Sequence, residues 1–251
     1  MAEVVLEALN IKKSFKELVL NGISFNLERG EILGLVGPNA CGKTTLLKIL
    51  AGLEEADEGE VRRRGRIGLV FQEDRLLPWM SLMDNIRLGL KYSGFDGNAA
   101  MEKAIEYSEK LGLSRSDLRA YPLKVSGGTR RKAAIVRVLV LEPEIVLMDE
   151  PFTGLDFHTI SMMKSGISKL LRDLNSSTLI VSHQLEDLLS IADRCLVMTP
   201  KPSRIADEVI LRGLKLEERL DRVKDILLKM ISPSWSSDLW ERGPDLRKKL
   251  G

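Results

Sequence analysis

The sequence predicts an α/β protein built around a parallel sheet, and two observations support this class. Short apolar runs at residues 31–36, 144–149 and 178–183 have the length and composition of buried strands. Each of these runs is followed by a stretch of helical character. Strands that alternate with helices form parallel sheets, because a helix must carry the chain back before the next parallel strand begins.

The elements of the first third of the chain follow from periodicity and turn residues. VVLEALNI and LVLNGISFNL alternate between apolar and polar residues like half-buried strands, and EILGLV is a third strand. A Gly/Pro-rich turn then leads into TTLLKILAGL, which has helical character. Two further strands are predicted at 59–64 and 66–71.

Residues 81–141 change to a helical pattern in at least three segments separated by Gly, Ser and Pro, which suggests an inserted helical subdomain. The elements predicted after it are a strand at 145–149, a helix at 157–174, the strand at 178–183, a helix from about 184, strands at 194–198 and 205–211, and a charged helix at 215–230. We expect one domain over residues 1–251, with 212–251 as a C-terminal helical extension.

An apolar stripe marks the last of these helices. Its members recur at spacings of four and three residues and are Leu216, Leu220, Val223, Leu227 and Met230. Packing of the stripe against the domain is one interpretation, and a dimer or regulatory contact is the other. Trp235 and Trp240 in the polar tail have no interpretation.

Composition limits the classes of function. Of the 251 residues, 44% are hydrophobic and 29% are charged, so the chain can bury a core and is not a disordered protein. Lys and Arg total 38 against 36 Asp and Glu, a balance that disfavours nucleic acid as the main partner. The presence of only two cysteines disfavours a disulfide framework and favours a reducing compartment. We find neither a secretory signal pattern nor an apolar run long enough to span a bilayer.

The sequence GPNACGKTT at 37–45 is a phosphate-binding loop (P-loop), since it matches G-x-x-x-x-G-K-[ST] between a strand and a helix. Its backbone amides are expected to wrap a phosphate chain, Lys43 to reach the β- and γ-phosphates, and Thr44 to bind Mg²⁺. The predicted nucleotide contacts are Gly37, Pro38, Asn39, Ala40, Cys41, Gly42, Lys43, Thr44 and Thr45. Ala40 stands where glycine is frequent, so we expect an ordinary helical or extended conformation there.

A second group of candidate residues follows the strands at 145–149 and 178–183. Asp149 ends one strand and is a predicted Mg²⁺ ligand, and Glu150 is placed to act as a general base towards water. His183 ends the other strand and is expected to contact the γ-phosphate. Parallel strands present ligands at their carboxyl ends, so these groups should meet the P-loop in one crevice.

The stretch VSGGTRRKAAIVRVLVLEPEIVLMDEP between these motifs resembles the ATP-binding subunits of ABC transporters. The resemblance covers roughly residues 3–210. It implies the ABC ATPase fold, in which a P-loop parallel core sheet carries an antiparallel β subdomain and an inserted helical subdomain. Its implied site residues are Phe15 stacking on adenine, Gln72 in the Q-loop, Ser126, Gly127 and Gly128 in the signature loop, Asp156 in the D-loop, and the switch histidine His183.

The resemblance also implies a mechanism. Two such chains sandwich two ATP molecules, so that the P-loop of one chain faces the SGG loop of the other. Gln72 is expected to sense Mg²⁺ or the attacking water and to relay closure to a membrane subunit. The chain departs from the usual pattern at Thr129, where Gln is common, and at Thr153 and Gly154 in the D-loop, but every catalytic residue type is present.

FQEDRLLPWMSLMDNIRLGL resembles importers for nitrate, sulfonates, taurine and pyrimidine precursors, as does MTPKPSRI at 198–205, which has Ser203 where Gly is usual. The implied protein is an ATPase at the cytoplasmic face of the membrane. Its implied partners are permease subunits, a second ATP-binding subunit, most simply a second copy, and indirectly an extracytoplasmic solute-binding protein. Leu76, Leu77, Pro78 and Trp79 are expected to line the groove for the permease, or else to pack in the helical subdomain.

Three alternatives stay open at this point. A soluble ABC ATPase of DNA repair or translation usually carries a coiled-coil insertion or a second ATPase domain, and this sequence shows neither. A P-loop kinase is disfavoured by SGG together with the Asp-Glu pair. A weakly active regulatory subunit is suggested only by Thr129. The basic runs at 62–64 and 130–132 are expected to be solvated faces rather than nucleic-acid contacts.

Overall fold

The computed structural model describes residues 3–94 and 96–231, so Trp235, Trp240 and the rest of the predicted extension beyond 231 lie outside the described residues. Its strands are β1 Val4–Ser14, β2 Leu18–Glu28, β3 Ile32–Val36, β4 Glu58–Arg63, β5 Ile67–Val70, β6 Ile145–Asp149, β7 Ser177–Val181, β8 Arg194–Met198 and β9 Ile205–Ile210. Its helices are α1 Lys43–Ala51, α2 Leu82–Tyr92, α3 Gly97–Lys110, α4 Arg115–Arg119, α5 Gly127–Leu139, α6 Phe157–Asp173, α7 Leu185–Ile191 and α8 Leu216–Ile231.

The larger sheet has six strands in the order β5-β6-β7-β3-β8-β9. The first five strands are parallel, and β9 pairs antiparallel with β8. Strands β3, β6, β7 and β8 are buried along their whole length, which explains their continuous apolar runs. The parallel α/β core predicted from the sequence is therefore confirmed, and β3, β6 and β7 end side by side.

A second sheet, β2-β1-β4, is antiparallel and is the β subdomain that the resemblance implied. Its inward residues, among them Ile11 and Ile23, share one apolar cluster with Leu46 and Leu50 of α1. The helix that follows the P-loop is thus held between the two sheets.

Helices α2 to α5 form the helical region predicted at 81–141, and α2 packs against α3, α4 and α5. Asn85 is fully buried near the start of this helical region. The Asn85 amide donates to the carbonyls of Leu77, Met80 and Ser81, and its oxygen accepts from the backbone of Leu77. This side chain therefore ties the segment after Gln72 to the first helix of the subdomain.

Helix α8 packs against α7, β8 and β9. Val223 and Met230 are buried, Leu220 and Leu227 are partly buried against the core, and Leu216 is exposed. Packing of the apolar stripe against the domain is therefore confirmed for Leu220, Val223, Leu227 and Met230. Among the described residues, no helix combines the length and apolarity that a bilayer crossing requires.

Candidate nucleotide-binding site

An open cavity of about 540 Å³ lies at the carboxyl ends of β3, β6 and β7. Because these strands are parallel neighbours, the loops that follow them converge here. The lining residues are Phe15, Val19, Asn39, Ala40, Cys41, Gly42, Lys43, Thr44, Thr45, Gln72, Asp149, Glu150, Val181, His183 and Lys201. The structure thus brings together the residues that the sequence motifs placed far apart along the chain.

The P-loop is shaped by close backbone packing. Gly42 has φ 108° and caps α1, and a Cβ there would come within 2.8 Å of Val19 and Leu20 side chains. A Cβ at Gly37 would lie 2.9 Å from Met198. Both glycines are therefore required sterically. The first residues of α1 line the cavity, and the free amides of a helix N-terminus favour an anion.

Ala40 corrects one expectation. Its φ is 59°, in the left-handed region, and not in the helical or extended conformation expected for a residue with a Cβ. The packing of residues around the P-loop sets the backbone conformation at Ala40. Alanine is therefore strained there by about 1 kcal/mol, and glycine would avoid this strain.

Lys43 is 8% exposed, and its ammonium group lies inside the loop. Nζ donates hydrogen bonds of 2.8 Å to the carbonyls of Gly37 and Pro38. These contacts offset the burial of the charge and hold the lysine where the phosphates of a nucleotide would pass. Gly37 and Pro38 thus act on the site through their carbonyl oxygens.

Cys41 contributes its backbone rather than its side chain. The thiol is 1% exposed, and burial raises its pKa, so it is an unreactive packing group. The Cys41 carbonyl accepts a hydrogen bond from the hydroxyl of buried Ser203. The loop between β8 and β9 therefore supports the P-loop through this hydrogen bond. No motif in the sequence indicated that role.

The arrangement around Asp149 fits a magnesium ion. Asp149 Oδ1 is buried and has no hydrogen-bond partner within the described part of the chain. Burial raises the pKa of Asp149, while the neighbouring Thr44 hydroxyl and the Lys43 charge oppose that rise. Gln72 lines the same cavity. These groups are hard oxygen donors, and one carboxylate suffices because Mg²⁺ retains waters and binds substrate phosphates.

Glu150 and His183 form a hydrogen-bonded pair in the same cavity. His183 Nδ1 lies 2.8 Å from Glu150 Oε2, which also accepts from the His183 amide at 3.3 Å and from Thr153 Oγ1 at 3.1 Å. Glu150 is 8% exposed and has φ 49°, so its backbone is held in a conformation that costs energy. Such strain is maintained by surrounding structure and aims this carboxylate at the cavity.

The rim of the cavity carries Phe15, whose ring is 61% exposed. The Lys13 ammonium lies 5.3 Å from the ring centroid. An exposed aromatic face at a nucleotide cavity suits stacking on a base. Lys201, which the sequence analysis did not single out as a contact, lines the same cavity and pairs with Glu17 at 2.9 Å.

Replacing Phe15 by Ala is expected to raise KM for ATP by about tenfold, because stacking on a base is worth roughly 1–3 kcal/mol. The value of kcat should change little, since the ring lies on the rim and not beside Glu150. Steady-state ATPase kinetics would measure both, with Tyr92→Ala as the control because Tyr92 is a similarly exposed aromatic on α2. An unchanged KM would remove Phe15 from the site.

The signature and D-loop residues lie elsewhere in the chain. Ser126 caps α5, where its Oγ accepts from the Thr129 amide at 3.1 Å and lies 3.0 Å from Thr129 Oγ1. Asp156 caps α6 by accepting from the Thr159 amide at 2.9 Å. Residues 126–128 and Asp156 do not line the cavity. These four residues are therefore separate from the other predicted nucleotide contacts within this chain.

The two basic runs differ in the structure. The side chains of 62–64 are exposed, as expected. Arg131 is 5% exposed and donates to the carbonyls of Phe71 and Gln72, so the expectation of a solvated face at 130–132 is wrong for this residue. The guanidinium can be buried because these carbonyls accept the hydrogen bonds that water would otherwise accept.

The apolar side chains that follow Gln72 differ in their exposure to solvent. Trp79 is 71% exposed, whereas Leu76 is partly buried against the main apolar cluster. Packing in the subdomain thus accounts for Leu76 but leaves the Trp79 ring on the surface.

Comparison with known proteins gives the family. The model of the ABC transporter family matches residues 20–153. The chain is 34% identical over 233 residues to the ABC transporter ATP-binding protein MJ0412 of Methanocaldococcus jannaschii, covering 88% of this chain and 86% of that protein. It is 37% identical over 202 residues to the aliphatic sulfonates import ATP-binding protein SsuB of Bacillus licheniformis, covering 77% and 78%. It is 34% identical over 199 residues to the taurine import ATP-binding protein TauB of Escherichia coli O157:H7, covering 76% and 78%.

A solved structure agrees with these relatives. The ATP-binding cassette MJ0796, solved as a dimer in a post-hydrolysis state with ADP and Pi, superposes with a TM-score of 0.75 at 26% identity. The match covers 83% of this chain and 100% of that one. The P-loop kinase alternative is therefore excluded. The chain belongs to the ABC transporter family and is an ATP-binding, ATP-hydrolysing subunit.

Proposed function

We propose that this chain, acting as one nucleotide-binding domain with α2–α5 as its helical subdomain, hydrolyses ATP to drive a small solute into the cell through a separate permease. The observation that carries the proposal is the convergence of Lys43, Asp149, Glu150 and His183 on one cavity. Similar proteins are subunits for import of aliphatic sulfonates and of taurine, which supports a small solute of the nitrate, sulfonate, taurine or pyrimidine-precursor type.

Each residue has a role that follows from its position. Lys43 and the α1 amides bind the phosphates, and Thr44, Asp149 and Gln72 would hold Mg²⁺. A bound Mg²⁺ supplies charge neutralisation at the phosphates. Glu150 accepts the proton of the attacking water, and His183, 2.8 Å away, orients its carboxylate. Phe15 positions the base.

The complete site requires a second ATP-binding subunit, most simply a second copy of this chain. Ser126 stands at the N-terminus of the 13-residue helix α5, where free amides favour an anion. Because the 126–128 loop does not line its own chain's cavity, it is available to the γ-phosphate bound by the partner. The dimeric state of the similar cassette MJ0796 supports this arrangement.

The permease would dock beside Gln72 on the cytoplasmic side of the membrane, and a solute-binding protein outside the cell would act through that permease. Exposed Trp79 follows Gln72 by seven residues, and a cavity of about 370 Å³ opens on α2, α3 and α4. The cavity is lined by the apolar residues Met83, Met101, Ile105 and Leu118 and by the polar residues Ser81, Arg115 and Arg119. Apolar residues with a polar rim suit a short amphipathic helix of a partner. The chain would then be a peripheral membrane protein.

Purification of the tagged chain from its native membranes in detergent tests this proposal. We expect a polytopic permease to copurify, and Trp79→Ala to reduce its recovery about tenfold while the purified ATPase stays active. Tyr92→Ala, another exposed aromatic, is the control. Recovery with ribosomes or nucleic acid, and without a permease, would instead identify a soluble ABC ATPase.

A further inference from the structure

The segment that carries Gln72 is bound to helix α5 through its backbone carbonyls. Arg131 donates to the carbonyl of Phe71 at 2.8 Å and to that of Gln72. Arg137 donates to the carbonyls of Asp74 at 3.0 Å and Arg75 at 2.7 Å. Four of the five carbonyls from 71 to 75 are therefore accepted by arginines of one helix.

The Asp74 carboxylate adds ion pairs between this segment and α5. Its Oδ1 lies 3.3 Å from Arg131 Nη1, and its Oδ2 lies 3.7 Å from Arg130 Nε. Burial lowers the pKa of Arg131, and the charges of Asp74 and Asp149 oppose this. The arginine meets these acceptors with two nitrogens held in a fixed planar geometry, and the single nitrogen of a lysine would not reproduce that geometry.

Helix α5 also begins with the signature loop. Ser126 is its N-cap, and Arg131 follows little more than one turn later. The Gln72 segment and the signature loop are thus both attached to this one helix. One of them, at Gln72, faces the nucleotide cavity of its own chain, and the other is free to reach the cavity of a partner.

We propose that Arg131 is a positioning residue that makes Gln72 and the Ser126 loop move as one unit. This inference rests on the proposed function, because it assigns Gln72 a part in hydrolysis. When the Ser126 loop engages a phosphate on the partner, Arg131 carries the same displacement to the Gln72 backbone. The placement of Gln72 then depends on closure of the dimer, while the binding of ATP to the P-loop does not.

The experiment compares the ATPase kinetics of the full chain with those of Arg131→Gln, Gln72→Ala and the double variant. We expect each single variant to lower kcat about tenfold or more with KM for ATP within twofold, because the P-loop and Phe15 are untouched. The double variant should be no slower than the slower single variant, since Arg131 acts through Gln72. Lys132→Gln, which removes a charge from the same helix without a contact to the Q-loop, should stay near the parent rate.

Two further variants separate positioning from folding. Arg131→Lys keeps the charge and should recover only part of kcat, and Asp74→Asn weakens the contact from its other end and should lower kcat in the same direction. Melting curves identify any variant that is not folded, and Asp74→Asn then carries the test. Multiplicative losses in the double variant, or normal kcat in Arg131→Gln, would overturn the inference. Normal kcat in Gln72→Ala would contradict the role of Gln72 itself, and with it this inference.

Discussion

Replacement of Glu150 by Gln is expected to lower kcat for ATP hydrolysis by at least about 100-fold, because an amide cannot take the proton of the attacking water. Gln keeps the size of the side chain and the hydrogen bond from Thr153, which reaches Glu150 Oε2 at 3.1 Å. It has the same backbone requirements at φ 49°, so the fold should be unaffected. Binding of ATP to the P-loop should persist.

The matched control is Glu144→Gln, at the opposite end of the same strand. Glu144 is partly exposed and pairs with Arg66, remote from the cavity. Rapid-quench measurement of phosphate release, with fluorescent ATP binding alongside, would compare the two variants. A Glu150→Gln chain that hydrolyses ATP at the parent rate would rule out this general base. Slow turnover of the parent chain itself would instead support a regulatory subunit.

The same variant should accumulate as a dimer in the presence of ATP. ATP binds between the P-loop of one chain and the Ser126 loop of the other in the proposed arrangement, and without hydrolysis nothing releases it. Size-exclusion chromatography with light scattering, with and without ATP, would measure this state. A strictly monomeric Glu150→Gln chain in saturating ATP would contradict the arrangement of two identical chains.

Arg194→Met is expected to lower the free energy of unfolding by about 3–5 kcal/mol, because it leaves Glu31 buried and unpaired. Arg194 Nε and Nη2 donate to the two oxygens of Glu31 at 2.7 and 2.9 Å, and Nη1 donates to Glu208 at 3.0 Å. Glu31 is 3% exposed and immediately precedes β3. Burial alone would lower the pKa of Arg194, but the hydrogen bonds and charges of Glu31 and Glu208 raise it above its usual range.

Arg212→Met provides the comparison, because Arg212 is exposed and pairs with Asp193 at 3.4 Å. Asp193 is buried, but without Arg212 it still pairs with Arg172 at 2.8 Å and accepts from the Ile32 amide, so that variant should unfold almost like the parent. Urea unfolding would measure both. In Glu31→Met combined with Arg194→Met, the loss should be smaller than the sum of the single losses, since no uncompensated charge is left buried. Equal losses for Arg194 and Arg212 would contradict this account.

The motifs of the candidate nucleotide site could be recognised in the sequence because each of them is short and contiguous. Residues 37–45 match the complete P-loop pattern, and the Asp149-Glu150 pair follows an apolar run with the length and composition of a buried strand. The strands and helices were predictable for the same local reason, since periodicity and caps such as Ser126 are read within a few residues.

Other features depended on contacts between distant segments. Arg131 belongs to a run that resembles a solvated face, yet the carbonyls of Phe71 and Gln72 bury it. The left-handed conformation of Ala40 is imposed by the neighbours of the P-loop rather than by its own preference. Ser203 supports Cys41 although 162 residues separate them in the chain.

The sequence by itself thus determined the α/β class, the order of the elements and the chemical groups proposed for the nucleotide site, because periodicity and short motifs are local properties. Only the tertiary structure decided that β3, β6 and β7 lie side by side, that Glu150 pairs with His183, and that α5 holds the Gln72 segment. These features arise when residues far apart in the chain bury one another's charges and polar groups. That burial depends on the assembled fold and leaves no local pattern to recognise.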